Sequence, residues 1–534
     1  MYLATDLRHR SSCFPLTYRT VRVLLISTYE LGHQPIGLAS PAAWLKRSGY
    51  DVAYIDISVE SFDVSVASSA DAIAISVPMH TAARMALQLT ENIRQAGITT
   101  PICLYGLYAH VASLSPAAGY ISKFISGEYE PELVKWVEEI SRLYNVGTHG
   151  NRNTVTLDRH MSILPYRDIL PPLTRYARLS YGGREYLTGY LEATRGCAHK
   201  CLHCPVPSVY NGRIRKNDLD ILLQDVDNLV SVGAEHITFG DPDFLNAPSY
   251  ATSVLSAVHN SFPQLTFDLT IKVSHIVKYA DLFPEIAHNG CLFVVSAFES
   301  ASDRILDLLH KGHTVKDMED SVRSLRMNGI EPRVSLMPFT PWTTRNDIAA
   351  LLDMAVAFDI VPNIDPVQWS IRLLVPPGSL LLQDARTAGY FVQFDPDKLS
   401  YDWVSPDGEL DVLQRDIEGI ATFASEENVD CMDAFDLIRS RINRLFDLQG
   451  NGSFALEHAN KGDGRDASNH IGAGNGCGSG NGYGSVISGL QSSMAACDRP
   501  RLTESWFCCA EPMQNQLDAL GMHQTTHVNL KVFT

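Results

Sequence analysis

Nowhere in the 534 residues does an apolar run approach the ~20 residues that a membrane-spanning helix needs, so no membrane partner is expected. Basic runs are also missing. With 43 Lys and Arg against 60 Asp and Glu, the formal net charge is −17. That balance argues against a nucleic-acid partner, because such binders usually carry a basic face. The segment from Met1 to Arg22 has scattered Arg and His but no long apolar core, so it does not read as a secretory signal. Eleven cysteines in a chain this long are not the framework of a small disulfide-bonded domain. These absences leave a cytoplasmic location as the expectation. What is present, 45% hydrophobic and 19% charged residues, is the composition of a globular protein, and the length predicts two or three domains.

Val21–Ser27, Asp51–Asp56, Ala72–Val77, Pro101–Tyr105 and Lys123–Ser126 read as short apolar strands, with helical patterns such as Pro35–Gly49 between them. The alternation predicts a doubly wound, Rossmann-like α/β domain over residues 20–150. Its ligands would sit beyond the strands' carboxyl ends, near Ser27–His33, Pro78–His80 and Gly127–Glu130. Residues 151–186, with prolines at Pro165, Pro171 and Pro172, read as a connector. A second β/α series spans 187–380, with strands expected at Thr188–Ala193, Glu235–Gly240, Thr266–Val273, Leu292–Phe298, Pro332–Met337 and Pro366–Leu374. Six such units predict a partial (β/α)6 barrel of TIM type, with reactive residues at the carboxyl ends of its strands. Residues 381–448 carry two amphipathic helices, near Leu410–Ser425 and Asp430–Leu448. Residues 449–496 turn to Gly, Asn and Ser and read as a flexible linker. Residues 497–534 form a short tail containing Cys508-Cys509-Ala510-Glu511-Pro512.

The densest chemistry lies just after the first strand of the second series. Cys197, Cys201 and Cys204 are spaced C-x3-C-x2-C, with Gly196 before and Pro205 after. Three thiolates on one short loop can hold three corners of a 4Fe-4S cluster and leave the fourth iron open. Zinc normally takes a fourth protein ligand, and none sits nearby in sequence. An open iron suggests chemistry, whereas ligation by four cysteines would suggest an electron carrier.

The three cysteines in this context resemble the signature of radical S-adenosylmethionine (SAM) enzymes, and the resemblance covers roughly residues 185–380. It implies that SAM chelates the open iron of the cluster and that an electron from the cluster cleaves a carbon–sulfur bond of SAM. Asp241, in Gly240-Asp-Pro-Asp-Phe244, falls where the family often contacts the SAM amino group, although it departs from the usual Gly-Gly-Glu form. Ser296, Glu299 and Ser300 fall at the end of the fourth strand, where relatives often contact SAM, and Lys272 and Arg372 are expected on the same rim. Residues 20–150 resemble the cobalamin-binding-type domain that precedes many radical SAM modules. The Asp-x-His-x-x-Gly ligand motif is absent, and His33 stands in a Gly-His-Gln context. Cobalamin is therefore an open cofactor expectation, beside the cluster and SAM. The tail resembles the ending of the CCAEP-tail, or selenocysteine-containing, radical SAM proteins. That subgroup includes the radical SAM protein of arsinothricin-type organoarsenical biosynthesis, which joins the 3-amino-3-carboxypropyl group of SAM to trivalent arsenic.

Adjacent thiols at Cys508 and Cys509 can bind a soft thiophile, so a mobile arm carrying arsenite to the barrel mouth is the expectation this resemblance implies. Cys477 or Cys497 could add a third thiolate. The partners then expected are a small-molecule substrate, with arsenite a candidate, and a reductant such as flavodoxin or ferredoxin. Two other classes compete: a cobalamin-dependent radical SAM methyltransferase, and a non-catalytic cluster-bearing thiol relay. A tRNA-modifying enzyme fits the fold but not the acidic charge.

Overall fold

The structure, a computed structural model, describes residues 21–143, 152–447, 498–504 and 509–521. The flexible linker expected at 449–496 lies outside the described residues, as do Cys477, Cys497 and Cys508.

The first sheet contains β1 (Arg22–Ser27), β2 (Asp51–Asp56), β3 (Ala72–Ser76), β4 (Ile102–Tyr105), β5 (Lys123–Gly127) and β6 (Asn153–Thr156). All pairs are parallel, in the order β2-β1-β3-β4-β5-β6. Parallel strands covered on both faces read as unbroken apolar runs, and β1 does so because Leu24 and Ile26 enter one core while Val23 and Leu25 enter another. β6 corrects the reading of 151–186 as a plain connector. Its sequence Asn-Thr-Val-Thr is polar because it forms a half-exposed edge.

The second sheet begins with an antiparallel pair, β7 (Arg178–Tyr181) and β8 (Arg184–Leu191). A small separate ribbon, β9 (Thr194–Gly196) and β10 (Ile214–Lys216), brackets the cysteine loop. The series continues with β11 (His236–Phe239), β12 (Thr266–Thr270), β13 (Cys291–Glu299) and β14 (Glu331–Leu336), all parallel to β8. A two-residue hairpin follows, β15 (Phe394–Asp395) with β16 (Ser400–Tyr401). The tail returns as β17 (Arg501–Leu502) to pair with β7, giving the order β14-β13-β12-β11-β8-β7-β17. The result is an α/β chain with a Rossmann-like parallel sheet and a curved, barrel-like second sheet.

The sixth barrel strand does not form. Pro366–Ser370 is a 3-10 turn, and one parallel bridge, Phe339 to Arg372, is what remains of the expected pairing. The Gln368 side chain accepts a hydrogen bond from the Leu336 backbone N–H at 3.1 Å, so a side chain serves the edge of β14 where a strand was expected. Helices Gly408–Glu426 and Cys431–Asp447 then pack beside this turn.

One apolar core runs through first-sheet residues Leu24 and Ile75, barrel residues Phe298 and Leu336, helix residues Leu413 and Phe435, and tail residues Ala510 and Leu520. The described part of the tail is therefore packed, not a free arm. Among the described residues, no helix is long and apolar enough to cross a membrane.

Candidate functional site

β8 delivers the chain to the cysteine loop through a turn only glycine can make. Gly196 has φ +77°, and a Cβ there would strike the Arg213 carbonyl and the Tyr210 ring. The loop is then pinned from several sides. Ala198 N–H donates to the Asn246 side chain at 3.1 Å, and Leu202 N–H donates to the Leu309 carbonyl at 3.0 Å. The Leu202 carbonyl accepts from Ser379 Oγ at 3.0 Å. Pro205 caps the loop and starts the short helix Val206–Tyr210.

Cys197 and Cys201 are buried and Cys204 half-buried, none in a disulfide. Burial pushes the Cys197 thiol up, and burial followed by the neighbouring Cys201 pushes Cys204 up to about 12. These thiols ionise readily only if a cationic centre is seated among them. One tetrahedral zinc ion at about 2.3 Å would draw its sulfurs to within about 3.8 Å of each other. Among the described residues, the groups whose ligand atoms all lie within 4.8 Å do not include the three thiols. Three thiols without a fourth protein ligand suit a cluster with an open iron better than a single zinc ion.

The other predicted residues divide. Glu299 is buried, with Lys311 Nζ at 2.9 Å and His203 Nε2 at 3.2 Å from its Oε1. Burial alone would raise its pKa, but Lys311 and then His203 outweigh burial and hold it well below the usual carboxylate range. Its φ of +66° is left-handed, at the register shift between β13 and β14. Ser296 and Ser300 are buried, and the Ser296 hydroxyl has no hydrogen-bond partner. Lys272 opens the helix Val273–Lys278, with its Nζ 3.5 Å from His199 Nδ1.

Two predicted residues have protein partners of their own. The Asp241 carboxylate accepts hydrogen bonds from Ala193 N–H (2.9 Å), Thr194 N–H (2.6 Å) and the Thr194 hydroxyl (2.6 Å). It ties the end of β11 to the start of the cysteine loop, and burial pushes its pKa up to about 7. Arg372 donates to Asp411 at 2.5 Å and to the Trp403 carbonyl at 2.7 Å, with its guanidinium 3.6 Å from the centre of the Trp403 ring. Without the sixth strand, the register that placed it on the rim is lost.

Sequence reading missed several groups that the fold gathers here. Lys311 lies beside Cys201 and Cys204. Burial works to lower its pKa, but Glu299 and then Cys201 outweigh this and the net shift is upward. His313 has both ring nitrogens buried and without hydrogen bonds. Burial, then Lys311, lowers its pKa to about 3. Such orphaned polar atoms call for a polar ligand, so Ser296 and His313 fit a cofactor of the polarity of SAM. His199, Asp243 and His275 form a further cluster.

The carboxyl edge of the first sheet leans on the cysteine loop. Leu107 and Leu157 pack against Cys197, Val206 and Tyr210, and the Tyr210 hydroxyl donates to Glu128 at 3.0 Å. Arg195 joins the two halves, donating to Glu130 at 2.7 Å and Glu192 at 2.8 Å. His33 stacks on Tyr190 with ring centres 4.7 Å apart, and burial lowers its pKa to about 4. It is a packed histidine rather than a free axial ligand.

The same edge holds the tail. The Thr81 hydroxyl donates to the Ala510 carbonyl at 2.8 Å, Arg84 pairs with Glu511 at 2.8 Å, and Asn92 donates to the Leu520 carbonyl at 3.2 Å. The tail also walls a cavity of about 390 Å³ between the ends of β1 and β2, lined by Thr28, Tyr29 and Ser58 on one side and Glu504, Met513 and Gln516 on the other. The volume suits a drug-sized molecule.

The sequence profile of the radical SAM superfamily matches residues 191–355. An uncharacterized methyltransferase of Pyrococcus horikoshii is 25% identical over 190 residues, 35% of this chain and 40% of the relative. A tRNA-2-methylthio-N(6)-dimethylallyladenosine synthase of Bacteroides fragilis is 27% identical over 208 residues, 37% of this chain and 40% of the relative. The match thus spans about two fifths of the length of these curated relatives. Among solved structures, the cobalamin-dependent SAM radical enzyme OxsB, with aqua-cobalamin and SAM bound, is similar at TM-score 0.57 and 14% identity, covering 80% of this chain and 72% of that one. The radical SAM methyltransferase TsrM of Kitasatospora setae, with tryptophan and aza-SAM bound, has TM-score 0.52 and 18% identity, covering 64% and 72%. Radical SAM proteins use a 4Fe-4S cluster and SAM, and residues 191–355 of this chain, cysteine loop included, are a radical SAM domain.

Proposed function

We propose that this chain is a radical SAM transferase in which Cys197, Cys201 and Cys204 hold a 4Fe-4S cluster and a SAM-derived carbon group passes to a thiophilic acceptor. The candidate reaction is transfer of the 3-amino-3-carboxypropyl group to trivalent arsenic. The bound cluster supplies an electron and an open iron for SAM. The chain's own residues supply the surroundings. Lys311 brings positive charge beside Cys201 and Cys204, and Glu299 and His203 hold that lysine in place. Ser296 and His313 offer unused hydrogen-bonding atoms for SAM.

The observation that carries the reading is the seating of the tail. Ala510 and Glu511 are fastened to Thr81 and Arg84, on the sheet edge that also packs against the cysteine loop. Cys509 immediately precedes Ala510 and is half-buried. Cys508 and Cys509 would bind the acceptor as a pair of thiolates. The test is incubation of reconstituted protein with SAM, reductant and arsenite. A new arsenic species carrying a four-carbon amino-acid group, with methylthioadenosine as co-product, supports the reading. Production of 5′-deoxyadenosine without any new arsenic species overturns it.

A second reading, cobalamin-dependent methyl transfer, rests on the likeness in fold to TsrM and OxsB. Purified protein that takes up no cobalamin and is active without it excludes this reading.

A further inference from the structure

The cysteine loop carries a second donor group besides its thiols. His199 Nε2 lies 3.3 Å from Asp243 Oδ2 and 3.2 Å from His275 Nε2. Asp243 Oδ2 is 2.8 Å from His275 Nδ1, yet the two are not aligned as a hydrogen bond, and each atom is buried without one. Asp243 is 2% exposed. Its other oxygen accepts from the Lys272 backbone N–H at 3.4 Å, which fixes the carboxylate and leaves Oδ2 aimed at the two imidazoles. All three residues offer donor atoms within 4.8 Å of one another.

We propose that His199, Asp243 and His275 form a binding site for a borderline divalent cation of the zinc class, distinct from the cluster. Ligand bonds of about 2.0–2.1 Å at tetrahedral angles set donors about 3.3 Å apart, the separation of His199 Nε2 and Asp243 Oδ2, while His275 would present a single nitrogen, Nδ1 beside Asp243 or Nε2 beside His199. Two imidazoles and a carboxylate select zinc and its first-row neighbours over calcium or magnesium. Three protein ligands leave a coordination position open, the arrangement of catalytic rather than structural zinc sites. His199 is the partly open member, at 27% exposure. A comparable cluster, Glu128, Glu130 and His160, carries no such inference, because Arg195 already supplies a cation 2.7 Å from Glu130. At the His199 site the nearby cation is the Lys272 ammonium, 3.5 Å from His199 Nδ1 on the far side of the ring. Its charge opposes that of a bound cation.

The experiment uses full-length protein, anaerobically reconstituted with its iron–sulfur cluster, incubated with Zn2+ and desalted through a weak chelator. Zinc and iron are then counted together. One zinc per chain is expected. His275→Gln and Asp243→Asn should each weaken zinc binding by more than about a hundredfold, since even partners behind metal ligands are worth roughly 10–100-fold. Iron content should not change, and that constancy distinguishes loss of this site from misfolding or loss of the cluster. Lys272→Met should retain zinc at least as tightly as the parent. Failure of the parent to retain zinc, or equal retention by both ligand variants, overturns the assignment.

Discussion

Asp241 holds Thr194: one carboxylate oxygen accepts both the backbone N–H and the hydroxyl of Thr194, each at 2.6 Å, and the other oxygen accepts from Ala193 N–H. The second barrel strand thereby sets the start of the loop that carries Cys197. In Asp241→Asn an amide NH2 must face one of these donors, leaving a buried group unpaired at about 1–3 kcal/mol. The variant should show a lower denaturant midpoint and less iron per chain after reconstitution. Were Asp241 instead a ligand of the SAM amino group, the variant would keep its full iron and lose SAM affinity alone. Iron counting and SAM titration on one sample separate the two outcomes.

Glu30 gives a pH prediction. Its carboxyl is buried against Gly37 and Ser76, and burial, then Asp56, raises its pKa from 4.5 to about 8. A carboxyl whose folded pKa lies above its unfolded value binds more protons when folded. Its stabilising contribution is complete below about 4.5 and is lost as pH rises through about 8. Asp56, raised to about 6 by burial, acts in the same direction over a lower range. Glu30→Gln cannot ionise, so its stability relative to the parent should climb between pH 5 and pH 8. A constant difference in denaturant midpoint across that range would contradict the assignment of the shift to Glu30.

Both sheets were legible because parallel strands buried on two faces leave apolar runs such as Val23–Ile26 and Ala72–Ile75 in the first and Phe293–Val295 in the second. β6 was not, since an exposed edge needs no apolar face and Asn-Thr-Val-Thr has none to show. Pro366–Leu374 misled for the converse reason: its residues are buried, but under the helix Gly408–Glu426 rather than in a ladder. The cysteines were legible because their chemistry is written within eight residues of chain. Asp243 follows β11, His275 lies in the helix after β12, and Lys311 and His313 share the loop between the helices Asp303–Leu308 and Val315–Met327. Only the closing of the sheet brings them to the loop, and no local pattern records it. Arg372 was predicted from a register that requires the missing strand.

The buried pair of Lys311 and Glu299 predicts an asymmetry. Removing one partner of a buried ion pair leaves an uncompensated charge and costs about 3–5 kcal/mol, whereas replacing both can be nearly neutral. Lys311→Met leaves Glu299 with His203 as its remaining partner. It should therefore be strongly destabilised, with most of the loss recovered in the double variant Lys311→Met, Glu299→Gln. Chemical denaturation of the apo chain measures this. If the double variant is as unstable as the single, the pair is not the source of the loss.

The tail gives the prediction that bears most directly on function. Leu520 is fully buried and Glu511 is paired with Arg84, so docking has an apolar and an ionic component. Leu520→Ala should weaken docking by about 2–5 kcal/mol, the usual cost of such a truncation in a packed core. The Gly-rich segment should then be cut faster in limited proteolysis, while iron content stays that of the parent. Replacing Cys508 and Cys509 together by serine should keep the tail docked through its anchors at Ala510, Glu511 and Leu520. If those thiols present the acceptor, the serine variant cleaves SAM in the absence of acceptor at the parent rate yet forms little product. The Leu520→Ala variant should lose product in proportion to the fraction of undocked tail. A serine variant with full product yield would leave the tail as a structural strap alone, and the acceptor would have to be bound elsewhere at the mouth.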